Sequence, residues 1–248
     1  MAGRRSAWKS TRPCWPTRLE ERGNELARRA QWGPAAAEFA KAIQLDPSRH
    51  YNWLRLAVLL LQTGDEAEYR RVGRDMLAQF GQTDDAWAAE RTAKVCLLAP
   101  HGVDDLSLPV QLVDRALAIR NAQGSLKQNE KLQLKWSELA KGMAEYRRGQ
   151  WVRAVERLEG CRELDVPGDG IWKEFALYQQ TMVSLFVAMA QHRQGEDAKA
   201  QRSLDEARRI MAEQLPTTDR GDLGTLWDSW VICQIARREA EDLLGGSP

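Results

Sequence analysis

The chain has 248 residues, of which 43% are hydrophobic and 29% charged, a balance that excludes a disordered polymer and allows a packed core. The 36 Lys and Arg nearly cancel the 35 Asp and Glu, leaving a net charge of +1, which argues against a nucleic-acid binder with its basic excess. The longest wholly apolar runs, among them Leu56 to Leu61, have six residues, where a membrane span needs roughly twenty.

Residues 1–17 carry Arg4, Arg5, Lys9 and Arg12 without an acid, and Pro13, Cys14, Trp15 and Pro16 follow where a signal peptide would place its apolar run. They are expected to form a poorly ordered basic lead-in, and 18–248 a single superhelical domain. Strand alternation is almost absent, and helical periodicity replaces it. Val72, Met76, Leu77 and Phe80 form one apolar stripe, Leu112, Ala116 and Ile119 another, and Leu185, Met189 and His192 a third. The spacing and punctuation predict helices over 18–30, 34–45, 50–63, 66–80, 84–98, 106–120, 130–148, 152–164, 171–194, 197–213 and 225–244. Gly64 then Asp65 supply a C-cap and an N-cap between two of them. Thr83, Asp84 and Asp85 place a hydroxyl and two carboxylates at the positive end of the next. Short turns between successive helices favour antiparallel pairs.

The cysteines Cys14, Cys96, Cys161 and Cys233 lie 82, 65 and 72 residues apart, so no metal-type pair exists. The last three sit in apolar helical patterns and read as small hydrophobes, which suits a reducing, cytoplasmic setting.

The helix pairs recur. The turn at 30–35 precedes the turn at 64–69 by 34 residues. Gly23, Ala27, Ala35, Phe39, Ala42 and Pro47 mark a first unit. Trp53, Leu56, Ala57, Leu60 and Gly64 mark a second, although Tyr69 stands where a small residue is wanted. Gly142, Tyr146, Gly149, Trp151, Ala154, Leu158 and Cys161 mark another, and Ala188, Gly195, Ala200, Leu204 and Ala207 a further one. On these residues the chain resembles tetratricopeptide (TPR) repeat proteins over roughly 18–213, in about five units, with 84–120 matching poorly. The segments 64–105, 139–158, 188–200 and 221–244 also resemble the C-terminal repeat region of large bacterial eukaryotic-like serine/threonine kinases. No phosphate loop, HRD or DFG motif accompanies them, so that resemblance implies an accessory region without kinase activity. The fold it implies is all-α, a right-handed α-solenoid of about five antiparallel helix pairs. A C-terminal capping helix would carry Trp227 and Trp230. Small residues at each crossing would let the helices approach, and no pair could bury its apolar face alone.

Chemistry-bearing motifs are lacking: there is no GxSxG, HExxH, P-loop or GxGxxG. His50, His101 and His192 are scattered, and Asp84-Asp85 and Asp104-Asp105 read as helix caps rather than catalytic pairs. Neither a metal nor a cofactor is expected. The resemblance implies a protein or peptide partner on the concave face, lined by the first helix of each pair. Its register marks Asn24, Arg28, Tyr51, Arg55, Trp136, Met143, Tyr146, Arg147, Met189, His192 and Arg193 as candidates. Aromatic, Met and Arg residues suit such a surface. The basic clamp that some TPR domains use for terminal carboxylates is not evident, because Glu20 and Leu54 fall on its positions. A protein-docking scaffold is thus expected, with no nucleic acid and no membrane; a structural spacer, a self-associating module or a helical enzyme are the alternatives.

Overall fold

The computed structural model describes residues 15–123, 125–164 and 168–245. Eleven α-helices follow one another there: α1 (Trp15–Arg28), α2 (Trp32–Leu45), α3 (His50–Thr63), α4 (Glu66–Phe80), α5 (Ala86–Leu97), α6 (Ser107–Asn121), α7 (Gln128–Arg147), α8 (Trp151–Glu163), α9 (Ile171–Arg193), α10 (Asp197–Gln214) and α11 (Trp227–Gly245). Residues 1–14 of the expected lead-in lie outside the described residues, and α1 already includes the last three residues assigned to it.

The punctuation acts locally as its chemistry requires. Gly64 adopts φ 81°, a left-handed turn that ends α3, and the Asp65 side chain accepts from the Glu68 amide at 3.1 Å to begin α4. Asp85 accepts from the Ala88 amide at 2.8 Å, and Asp105 from the Ser107 amide at 2.8 Å. Both acidic pairs thus place a carboxylate on helix-end amide donors.

The pairs stack in sequence order. Each helix packs on the next from α1 to α10, while α3 also meets α5, α5 meets α7, and α7 meets α9. Helices α3, α5, α7 and α9 therefore form one continuous layer and the even-numbered helices fit between them. The crossings keep one spacing. A Cβ at Gly23 would stand 2.9 Å from the Phe39 ring, and a Cβ at Gly142 would stand 2.5 Å from Leu158. Ala188 and Leu204, at that same separation, are both fully buried. This is the architecture of a TPR-type α-solenoid.

The poorly matching segment has a physical cause. Tyr69 is buried, and its hydroxyl donates to the Val95 carbonyl of α5. A phenol at the crossing thus reaches the neighbouring pair while α4 still packs on α3. The helix it reaches, α5, is buried on nearly every side and includes Glu90, Thr92 and Lys94 in the interior.

The inner face and the helix that fills it

α11 packs most extensively on α9 of the last pair, touches α10, and reaches beyond that pair to α3. Its first seven residues, Trp227 to Cys233, are buried without interruption, as befits a helix enclosed on all sides rather than an amphipathic cap.

The contacts run to the opposite end of the chain. The Trp227 indole stacks on Phe39 with centroids 5.9 Å apart and donates to the Asn24 side chain at 3.0 Å. Trp230 stacks on Trp32 at 6.1 Å. The preceding loop joins in: the Leu223 amide donates to the Arg28 carbonyl at 2.9 Å, and Arg28 Nε donates to Asp222 at 2.8 Å. Trp227 and Trp230 therefore do more than seal the final pair: Trp230 donates to the Pro216 carbonyl after α10 at 2.8 Å, while both rings stack on the first pair.

Charges along the seam are one-sided. Arg28, Arg55, Arg147 and Arg208 come from the stack, and Asp222, Asp228, Glu239 and Glu241 come from the C-terminal segment. Arg147 is the most enclosed of them. It donates to the Leu97 carbonyl at 2.9 Å, the Leu98 carbonyl at 3.1 Å and Glu239 at 2.7 Å. The Arg28 guanidinium holds the Asp222 carboxyl down to about 2 through their hydrogen bond.

A cavity of about 60 Å³ remains where α11 meets the stack, room for a few water molecules. Tyr51, Trp87, Trp136 and Phe175 border it, with Glu90 and Asp228 as its carboxylates. Lys94 Nζ lies 2.6 Å from Glu90 Oε1 and 4.1 Å from the Trp136 centroid. Arg55 and Arg91 cover the Tyr51 ring at 3.9 and 4.1 Å. Burial, reinforced by Asp228, pushes the Tyr51 hydroxyl well above the ordinary tyrosine range. Sequence reasoning missed Glu90, Lys94 and Asp228. The signal for the first two was a Glu and a Lys four apart in an otherwise Ala-rich helix.

The expected concave-face residues thus divide. Asn24, Arg28, Tyr51, Arg55 and Arg147 come together at the seam and are engaged by α11 or its loop. Trp136 borders the cavity. Met143 and Met189 are fully buried and Tyr146 is 7% exposed, packed edge-on against Phe186 at 5.6 Å. These three serve as core packing, which corrects their assignment to an open groove. At the end of α9, Arg193 reaches the Tyr146 hydroxyl and His192 Nδ1 stands 2.7 Å from Asp197. Glu20, at a clamp position, pairs with Arg49 at 2.6 Å and accepts from Asn52 at 2.8 Å.

Among the described residues no helix is long and apolar enough to cross a membrane, and no group of three His, Cys, Asp or Glu side chains could hold a metal ion. No family model and no curated protein matches the chain. Solved structures do. A crystal structure named for a kinesin light chain of Podosopora anserina with nearly identical TPR-like repeats is 20% identical, covering 82% of this chain and 98% of its own, with a TM-score of 0.49. MamA MSR-1 is 13% identical over 79% of this chain and 97% of its own, with a TM-score of 0.40. A mutant form of MamA is 15% identical over 79% and 96%, with a TM-score of 0.36.

Proposed function

We propose that the chain is a non-catalytic protein-interaction scaffold whose inner face is closed by its own C-terminal helix, so that partners dock on its outer face and rims. The observation that carries this reading is the seam itself. The stack holds a helix by aromatic stacking and Arg–carboxylate pairs, the means by which helix-in-groove surfaces work. The resemblance of four segments to the accessory repeat region of kinase-like proteins supports an accessory role. A cytoplasmic setting fits the three buried free cysteines.

Magnitude bears on the choice between a closed and an opening groove. Burying a large apolar side chain stabilises by about 1.5–3 kcal/mol. α11 buries Trp227, Trp230, Val231, Ile232 and Ile235. That is a gross gain, from which the entropy of ordering the helix is subtracted; the buried tryptophans and the Arg–carboxylate pairs support a closed inner face.

Crosslinking the chain in its native cells, followed by mass spectrometry, tests the reading. Stoichiometric crosslinks from a partner to the even-numbered helices are expected. Recovery of the chain as an unaccompanied monomer would overturn the scaffold reading in favour of a spacer, which the self-contained closure by α11 favours as the second reading. A concentration-dependent dimer in sedimentation would point to self-association.

A further inference from the structure

With the inner face occupied, the sides of α7 have different tasks. Leu132, Trp136, Met143 and Arg147 face the interior and the seam. Glu138 and Glu145 lie about 180° around the helix from them, at 100° per residue. On that outer side a cleft of about 570 Å³ opens, lined by Glu138 and Glu145 of α7, by Arg153, Glu156, Arg157, Gly160 and Cys161 of α8, and by Leu164 just after it.

We infer that this cleft is a docking site for an arginine-bearing segment of a partner protein, with Glu145 and Glu156 accepting from the guanidinium. The inference rests on the scaffold reading and names the surface through which it acts.

Three features carry it. The first is an unsatisfied carboxylate. Glu145 is 8% exposed, and its Oε2 has no hydrogen-bond partner among the described residues. Its other oxygen stands 3.5 Å from Lys141 Nζ, which sits closer, at 2.7 Å, to Asp114. A buried carboxylate oxygen without a donor is costly, and an incoming charged donor relieves that cost.

The second is charge. Glu138 is taken by Arg157 at 3.0 Å, and Arg153 leans on Gln150 at 3.4 Å. Glu156 stands exposed on the rim, and among the described residues no cation lies within ion-pair distance of it. The lining thus carries three Glu against Arg153 and Arg157, a surplus of one carboxylate, and a guanidinium offers a planar fork of donors that an ammonium lacks.

The third is shape. A Cβ at Gly160 would have nothing within 4 Å, so a partner backbone can lie close to α8 there. Leu164 provides apolar surface for the methylene stem of the arginine.

The experiment uses the full chain and two probes, acetyl-Ala-Arg-Arg-Ala-amide and acetyl-Ala-Glu-Glu-Ala-amide, followed by calorimetry and by amide NMR shifts. The arginine probe is expected to bind, to shift resonances between Arg153 and Leu164, and to weaken with added salt. Glu145→Gln and Glu156→Gln are each expected to weaken it at least fivefold, while Asp205→Asn on α10 leaves it unchanged. Equal binding of the two probes, or an unchanged Kd in both glutamine variants, overturns the inference. If Glu145→Gln fails to fold, the exposed Glu156→Gln decides alone. A partner recovered by crosslinking that binds both variants normally would sink the cleft and leave the scaffold reading standing. A chain without any partner would sink the scaffold reading instead.

Discussion

The indole N–H of Trp227 donates to the side-chain oxygen of Asn24 across 203 residues of sequence. This bond, with the Phe39 ring stacked beside it, joins the last helix to the first. Trp227→Ala removes a side chain that is 1% exposed, and such deletions cost about 3–5 kcal/mol. Asn24→Ala leaves the indole in place but orphans its donor, at a cost of about 1–3 kcal/mol. Urea denaturation of both variants should rank them in that order. A Trp227→Ala loss below that of Asn24→Ala would mean that α11 contributes little to the fold.

Two Arg–Glu pairs should behave differently because their surroundings differ. Arg147 and Glu239 have side chains 8% and 16% exposed, and Arg157 and Glu138 are 45% and 17% exposed. Arg147→Ala strands two backbone carbonyls as well as Glu239, so a loss of about 3 kcal/mol is expected. Arg147→Lys should not restore it, because one ammonium cannot span the three acceptors. Arg157→Ala removes a pair half open to water and should change stability by less than about 1 kcal/mol. Parallel thermal melts check both expectations, and equal losses would refute the burial argument.

Much of this fold was legible in the sequence, and the illegible part has a physical reason. Helix limits are local: α3 and α4 run over the expected 50–63 and 66–80 because Gly64 and Asp65 enforce the break. Crossing positions repeat because backbone approach demands a small residue each time. The place of α11 is not local. Trp227 and Trp230 lie three apart whether they pack on the last pair or the first, and Arg28 meets Asp222 across 194 residues. The register could therefore say that Tyr51, Arg55 and Arg147 face inward. It could not say that the same chain supplies the helix they hold. Glu145 was invisible for a related reason: only the packing of α6 and α8 around α7 leaves one of its oxygens without a donor.

His50 gives a pH dependence. Its burial, helped by the Arg91 guanidinium, lowers its pKa from 6.5 to about 4. Arg91 Nη1 lies 3.3 Å from His50 Nδ1, and the ring meets Phe80 edge-on. A depressed histidine pKa means that the unfolded chain binds the proton first. Stability from this residue is therefore unaffected above pH 6.5, falls as pH drops from 6.5 towards about 4, and levels below that. Partial solvent access reduces the effect to about 1–2 kcal/mol. His50→Gln should flatten the urea midpoint over that interval relative to the parent chain. Parallel profiles for the two proteins would show that His50 titrates normally.

The thiols should be silent in the native state. Cys96, Cys161 and Cys233 are buried and free. Burial pushes Cys96 and Cys161 up to about 12, and Cys233 further still. A thiol with so little thiolate near neutral pH reacts slowly with a disulfide reagent, even Cys161, which borders the outer cleft but is 1% exposed. Cys233 is the informative one, because it lies on α11 and its Sγ stands 3.7 Å from the Tyr178 carbonyl of α9. If α11 is a lasting part of the interior, Cys233 reacts only as fast as the whole domain unfolds. In a Cys14→Ser background, Ellman's reagent should find no rapid thiol, and the slow phase should release all three at one rate. Urea should accelerate all three together. A Cys233 that reacts ahead of Cys96 would mean that α11 detaches from a stack that otherwise stays folded, and the inner face would then be open to partners after all.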